Sequence, residues 1–378
     1  MAGIINIERI NKKIVFRGKM MRIDCASNII SGFLEDEIKQ GTIPGAVLGI
    51  IKKNEVIMAK AFGYAQVEPV CRKMSVDTIF DLASLTKVIA TTTAVMQLIE
   101  QGKINLWDYL KEFFPELPTD KEAITVFHLL THSSGFQAIV RLWDQDLTPE
   151  KKIAYILNLP LEYPSGEKVV YSDPNFILLG ELVKRVSGSS LDLYCHDHIF
   201  QPLGMNWTAF NPIDNLRVEV TDLAATERCQ WRKEILVGKV HDENCASMNG
   251  VSGHAGLFSN IKDLMAFGMM LLNKGRYQGA RVLHDKTIDL MTRDWTAMLA
   301  THRCLGWDLS NNYRSSGGVL LSPAAYGHTG FTGTSLWIDP QAKLGVIFLS
   351  NRVHPSRENT QIITLRPRLH NLIVANLC

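Results

Sequence analysis

The 378-residue sequence lacks several things, and each absence closes off a class of function. No stretch approaches the ~18 consecutive apolar residues of a membrane-spanning helix. Neither sign of charge dominates: 40 Lys and Arg against 38 Asp and Glu leave a formal +2. No basic block extends beyond the Lys12-Lys13 neighbourhood, so nothing calls for a nucleic-acid partner or a membrane surface. Seven cysteines are scattered without a Cys-x-x-Cys pair. That pattern suggests reduced thiols in a cytoplasmic protein rather than a disulfide framework. Met1 to Met21 lacks the roughly 7–15-residue apolar core of a signal peptide, which points the same way. There is no Gly-x-Ser-x-Gly elbow, no His-Glu-x-x-His, no Walker loop, no internal repeat and no low-complexity tract. His196-Asp197-His198 beside Cys195 has no partner cluster, so it reads as a solvated helix end before Pro202. Neither a metal nor another cofactor is expected, and the oligomeric state stays open.

What is present begins with hydrophobic content of 46%, ample for one large core or two lobes. The most informative phrase is Ser84-Leu85-Thr86-Lys87. A serine three residues before a lysine on a helix places both side chains on one face, a turn apart. A serine hydroxyl is a poor nucleophile until a neighbouring base takes its proton. Burial would disfavour the charged lysine and lower its pKa, which would make it such a base.

Context separates this phrase from two other Ser-x-x-Lys matches. Ser165/Lys168 lies in a Pro/Gly turn, Tyr163-Pro164-Ser165-Gly166. Ser259/Lys262 precedes a helical run through Leu264, Phe267, Met270 and Leu271, so Ser259 reads as an N-cap. Ser84 instead follows the β-like Thr78-Ile79-Phe80 and opens an apolar helix through Leu85, Val88, Ile89, Val95, Met96 and Ile99 to Gly102. At a buried helix start, backbone N–H groups favour developing negative charge.

Elsewhere, residues 25–40 read as a helix with Ile29, Ile30, Phe33, Leu34 and Ile38 on one face. Val47–Lys52 and Val56–Phe62, joined through Lys53-Asn54, read as a β-hairpin. Helical patterns dominate from Ser84 to about Thr301. Strand signals return at Ser335–Ile338 and Leu344–Leu349, and Leu365–Leu377 reads as a closing helix. The two chain ends therefore build one sheet, with a helical region inserted between them.

Two further segments complete a constellation. Tyr171-Ser172-Asp173-Pro174-Asn175 precedes an apolar helix through Phe176, Ile177, Leu179, Leu182, Val183 and Val186. Tyr326-Gly327-His328-Thr329-Gly330-Phe331-Thr332-Gly333 runs into Thr334–Ile338. With Leu129–Gly135, Pro202-Leu203-Gly204-Met205 and Gly256–Ser259, these phrases resemble the serine β-lactamase/penicillin-binding superfamily. The similarity is to its class C β-lactamase, D-amino-acid peptidase and esterase branch, and it runs from about Asp24 to the C-terminus. It implies an α+β, β-lactamase/transpeptidase-like fold: a mixed sheet from both chain ends with flanking helices, plus an inserted, mostly helical lobe. The expected division is a sheet lobe from 24–83 and 310–378, a helical lobe at 84–309, and an N-terminal extension at 1–23.

The resemblance also implies roles. Ser84 would be the acylated nucleophile, Lys87 its proton partner, and Tyr171 a general base or shuttle to the leaving group. Which of Lys87 and Tyr171 acts first stays open. The oxyanion hole would use the N–H groups of Ser84 and Phe331. His328, Thr329, Gly330 and Asp173 would face the substrate, and the glycines at 330 and 333 would let it lie close to the strand. Two positions depart from the family pattern. Asp173 stands where Asn is usual, and before Pro174 it also reads as an N-cap. His328 stands where lysine is common, and a mostly neutral imidazole holds a carboxylate less firmly.

Thr226-Glu227, Trp231-Arg232, His241–Asn244 and Asn351–Pro355 resemble a subgroup with N-acetylmuramoyl-L-alanine amidases. That segment is either a loop held by its own side chains or a wall against the substrate. As a wall, Trp231 would stack on a sugar and Arg232 would pair with a carboxylate. The expected activity is acyl-enzyme hydrolysis of an amide or ester in a muropeptide-like fragment. A broad carboxylesterase, or a weak β-lactamase or D-Ala-D-Ala carboxypeptidase, is the alternative. A non-catalytic penicillin-binding or assembly module is the alternative from another class.

Overall fold

The structure, a computed structural model, describes residues 24–378, so the expected extension at 1–23 lies outside the described residues. Its centre is a seven-stranded sheet whose middle is the pair Gly45–Lys52 and Leu344–Ser350. Outward on one side lie Glu55–Gln66 and Arg72–Lys73; on the other come Ser335–Asp339, Tyr326–Thr329 and Asp308–Leu309. The first hairpin turns on Lys53 and Asn54, both at positive φ (52° and 65°), the left-handed pair that a two-residue turn requires.

Both chain ends do form one sheet, but it is antiparallel throughout rather than mixed. Tight turns join most neighbouring strands, and a tight turn can only reverse direction. Period-two alternation then divides two cores. Ala46, Leu48, Ile50, Val346 and Phe348 face a layer that includes Ile30, Leu34, Leu365, Leu369 and Ile373. These come from the helix at 24–39 and the helix Ile362–Leu377. Val47, Ile51, Ile347 and Leu349 face the larger core with Ile261, Leu264, Phe267 and Leu271. Gly49 lets that helix (Ile261–Leu272) approach, since a Cβ there would meet Ile261 Cδ1 at 2.8 Å.

The segment that carries Lys87 lies in the larger core and is not one plain α-helix. Lys87–Thr92 is π-helical and Thr93–Glu100 α-helical, and the Thr93 hydroxyl reaches back five residues to the Val88 carbonyl (3.0 Å). Such wide turns recur at functional sites. The expected cap at Ser259 is also corrected. Ser259 ends the strand Leu257–Ser259, and Asn260 caps the following helix by accepting from the Asp263 N–H. His196, Asp197 and His198 are exposed, with His196 and Asp197 paired, while Ile199 and Phe200 of the same turn are buried. No helix among the described residues is long and apolar enough to cross a membrane.

Candidate active site

A three-stranded sheet, with Leu257–Ser259 between Phe80–Asp81 and Ala209–Phe210, delivers the chain to Ser84. Ala83 takes φ +47°, a left-handed strain at the residue just before the serine. Four bonds hold that turn. Asp81 accepts the Ala83 N–H (2.8 Å) and the His241 N–H (2.6 Å), while the Thr332 and Thr334 hydroxyls donate to the Asp81 and Leu82 carbonyls. Gly330 makes the contact possible, because a Cβ there would lie 2.3 Å from the Leu82 carbonyl oxygen. The glycine therefore admits the chain's own backbone first. Burial pushes the Asp81 carboxyl up, partly offset by the two N–H bonds.

Lys87 is fully buried, and its Nζ reaches Ser84 Oγ (3.0 Å), the His254 carbonyl (3.1 Å) and Asp173 Oδ1 (2.8 Å). The Tyr171 ring centroid lies 4.9 Å from the same nitrogen. Desolvation pulls the lysine down, but Asp173 and Tyr171 outweigh it and raise its pKa to about 12. The lowering expected from burial is therefore reversed, because burial came with a counter-ion. Asp173 is that counter-ion, not a cap. Ser172 holds the N-cap position of the helix Asp173–Ser187, and its own hydroxyl turns to the Gln137 carbonyl (2.8 Å).

Asp173, Asp242 and His254 offer ligand atoms within 4.8 Å of one another. The Lys87 ammonium already sits against this cluster, so a cation is in place without a metal. Asp242 is bonded to His254 (2.8 Å) and to the Cys245 N–H (2.8 Å). Burial opposes its charge, but His254 outweighs that and holds the carboxyl well below the usual range.

Ser84, Tyr171, His328, Thr329, Gly330 and Phe331 line one cavity of about 650 Å³ with arginines 303, 352, 357 and 366. The Gly330 carbonyl accepts from Arg366 (2.7 Å) and the Phe331 carbonyl from Arg352 (2.7 Å). Among the described residues, the Ser84 and Phe331 N–H groups donate to no protein acceptor. His328 lies 5.8 Å from Tyr171, ring to ring, and its Nδ1 donates to the Thr329 carbonyl (2.9 Å), which leaves Nε2 as an acceptor. Burial first, then the charges of Arg303 and Lys87, press its pKa well below the imidazole value.

The structure does not bring Trp231 and Arg232 to this cavity. Trp231 is half exposed, beyond the strand Ala225–Cys229. Arg232 commits its guanidinium to the Val240 and His241 carbonyls (2.6 and 2.7 Å) and lines a separate cavity of about 420 Å³. Other parts of the same phrase do reach the site. His241 stacks on Phe331 at 5.5 Å, Glu227 bridges His241 (2.9 Å) and Arg357 (2.5 Å), and Asn244 pins the backbone of Leu142 and Val140. Burial alone would raise the Glu227 carboxyl, but His241 and Arg357 lower it to about 2. The segment is both a self-bonded loop and the support of the cleft.

Sequence reasoning gave His132 no role, although Leu129–Gly135 stood out. Its ring lies 4.6 Å from Tyr171, its Nδ1 accepts the Ser172 N–H (3.1 Å), and its buried Nε2 has no partner. The signal was the phrase itself. For Arg303 and Arg366 there was no local signal.

This geometry sits in a chain whose residues 28–367 match the Beta-lactamase family. The chain belongs to that family. It is 36% identical over 365 residues to an N-acetylmuramyl-L-alanine amidase of Bacillus subtilis, covering 86% of this chain and 80% of the relative. It is 33% identical over 368 residues to a putative D-alanyl-D-alanine carboxypeptidase of Salmonella schwarzengrund, covering 88% and 84%. Two solved structures share the fold. One is an octameric penicillin-binding protein homologue from Pyrococcus abyssi (TM-score 0.69, 24% identity, 90% of this chain and 76% of that one). The other is EstCE1, a hydrolase with promiscuous acyltransferase activity (TM-score 0.72, 22% identity, 92% and 99%). The protein is a serine hydrolase of the Beta-lactamase family.

Proposed function

We propose that the protein hydrolyses an amide or ester of a cell-wall-derived, muropeptide-like fragment through an acyl-enzyme on Ser84. One observation carries the chemistry: a single buried ammonium contacts Ser84 Oγ and Asp173 beneath Tyr171, at the wall of an open cavity. A charged ammonium has no lone pair, so Lys87 does not take the serine proton. Tyr171, acting as the phenolate that the adjacent ammonium favours, accepts it as Oγ bonds to the carbonyl carbon, and the phenol then passes it to the departing nitrogen or oxygen. The oxyanion falls to the N–H groups of Ser84 and Phe331, each worth roughly 3 kcal/mol in a transition state. Water then cleaves the ester in reverse order and restores Ser84.

The substrate class rests on the names of the curated relatives, an N-acetylmuramyl-L-alanine amidase and a putative D-alanyl-D-alanine carboxypeptidase. The sheet lobe (24–83 and 310–378) and the helical lobe (84–309) serve as the two walls of the cleft. Seven free cysteines, four of them buried, support an intracellular site where soluble muropeptides would be met. A broad carboxylesterase is the second reading, favoured by a third motif whose His328 is held neutral. The deciding assay is release of L-Ala or peptide from MurNAc-peptide, followed by mass spectrometry, beside p-nitrophenyl butyrate and nitrocefin. An intact muropeptide with efficient ester turnover replaces the amidase reading by the esterase one. Failure of Ser84 to take a fluorophosphonate label removes both in favour of a binding module.

A further inference from the structure

The two N–H groups that would hold an oxyanion belong to Ser84 and Phe331, which come from segments far apart in the chain. Contacts across the cleft therefore set the distance between them. Thr332 and Thr334 supply two, through the Asp81 and Leu82 carbonyls. A third runs through His241, a buried residue that reaches both sides. Toward Ser84 the link is a backbone bond. The His241 N–H donates to Asp81 Oδ2 (2.6 Å), and Asp81 Oδ1 accepts the Ala83 N–H (2.8 Å). Ala83 is held at a left-handed φ of +47°, so the turn that presents the Ser84 N–H depends on such bonds. Toward Phe331 the link is a ring contact. The imidazole stacks on the Phe331 ring, with centroids 5.5 Å apart and planes 29° from parallel.

His241 itself has little freedom to move. Its carbonyl accepts from Arg232 (2.7 Å), and its Nε2–H donates to Glu227 Oε2 (2.9 Å). Arg357 Nε in turn donates to both Glu227 oxygens (2.8 and 2.7 Å). Anchored at its N–H, its carbonyl and its imidazole, the residue is a fixed spacer. Phe331 is less firmly held. Its ring is half exposed and rests on His241 and on the Arg352 guanidinium, whose carbon lies 4.2 Å from the ring centroid. An oxyanion donor stabilises charge only when it is aimed at the right point before the reaction begins.

We propose that His241 is a positioning residue of the oxyanion hole. Its backbone fixes the turn before Ser84 and its ring fixes Phe331, so that the two N–H groups converge on one point. Glu227 and Arg232 act through it, by holding the ring and the carbonyl. This inference rests on the acyl-enzyme reading above.

The backbone bond survives any substitution, so the ring is the part to change. Losing one oxyanion donor outright costs about 10²–10³ in kcat, and a misaimed donor should cost less. On the better of the muropeptide and ester substrates, H241A should lower kcat about tenfold with KM nearly unchanged. Phenylboronic acid should weaken with it, because its adduct on Ser84 is a tetrahedral anion with one oxygen in the same hole. Its Kd, read from protection of Ser84 against the fluorophosphonate label, should rise about tenfold. Loss of folded protein would lower the rate and leave that Kd where it was. H241F keeps a ring against Phe331 and should recover most of both losses. An unmoved boronate Kd in H241A, an unmoved kcat, or H241F behaving like H241A overturns the role while acyl-enzyme chemistry stands. So does a wild type that takes the label but gains no protection from the boronate. Failure of Ser84 to take the label removes that chemistry and the positioning role with it.

Discussion

Lys87 and Arg366 are two buried cations of one cleft, and they have been treated in opposite ways. Lys87 lies against Asp173 and Tyr171, and its pKa is driven up to about 12 despite full desolvation. Arg366 has no carboxylate among the described residues. It bonds the Gly330 and Thr334 carbonyls, and burial, with Arg352 nearby, lowers its pKa to about 9. A paired cation fixes geometry and keeps its proton. An unpaired one held by carbonyls leaves net positive charge beside the Phe331 N–H, where an oxyanion would form. The first keeps its proton against Ser84, and the second leaves positive charge at the Gly330–Phe331 backbone.

The heaviest blow falls on what Lys87 serves. Ser84→Ala should lose several orders of magnitude in kcat while the melting temperature barely changes. Retention of more than about a tenth of wild-type activity would break the assignment. Asp173→Asn separates the two cations more finely, because it takes away the counter-ion and leaves desolvation to act. The Lys87 pKa should then fall from about 12. If the ammonium is the working form, kcat should drop by about a hundredfold, and activity should decline with rising pH at a lower midpoint than in the wild type. A pH–rate profile with an unmoved alkaline limb would show that Asp173 does not set that charge.

Arg366→Met removes the unpaired cation and frees two carbonyls. The expected result is about a tenfold fall in kcat with little change in KM, since the loss is confined to the transition state. A change in KM alone would assign Arg366 to substrate binding instead. A third cation, Arg357, extends the contrast to stability. Glu227, its partner, is depressed to about 2, so its contribution is complete above the ordinary carboxylate range and fades as pH falls toward 2. Glu227→Gln should cost roughly 3 kcal/mol near neutrality and flatten the acid side of a melting-temperature profile. An unchanged acid slope would break that link. The smallest effect is expected from His328→Lys, which should raise penicillin acylation severalfold. A fall, or no change, would show that the third motif does not limit that reaction.

Legibility followed the range of the interactions. Ser84, Lys87 and Tyr171 were legible because each sits in a short phrase whose spacing or flanking glycines carry the signal. The central strands were equally plain, since the short continuous apolar runs at Ala46–Ile51 and Val346–Leu349 reflect burial on both faces. The cap at Asp173 was misread because a local rule, carboxylate before proline, competed with a contact to a lysine 86 positions earlier (173 against 87). Trp231 and Arg232 were misplaced for a related reason. Their residue types suit sugar and carboxylate, but Arg232 answers to carbonyls only nine residues away or fewer.

The sequence by itself picked out the central strands and their flanking helices, the phrases around Ser84, Lys87 and Tyr171, and the resemblance to a serine hydrolase family. All of these depend on neighbours along the chain, where spacing is a sufficient guide. Only the tertiary structure decided which charges meet. The ionisation of Lys87 and the carbonyl-bound Arg366 both depend on groups far away in sequence, because burial and Coulomb energy are set by distance in space.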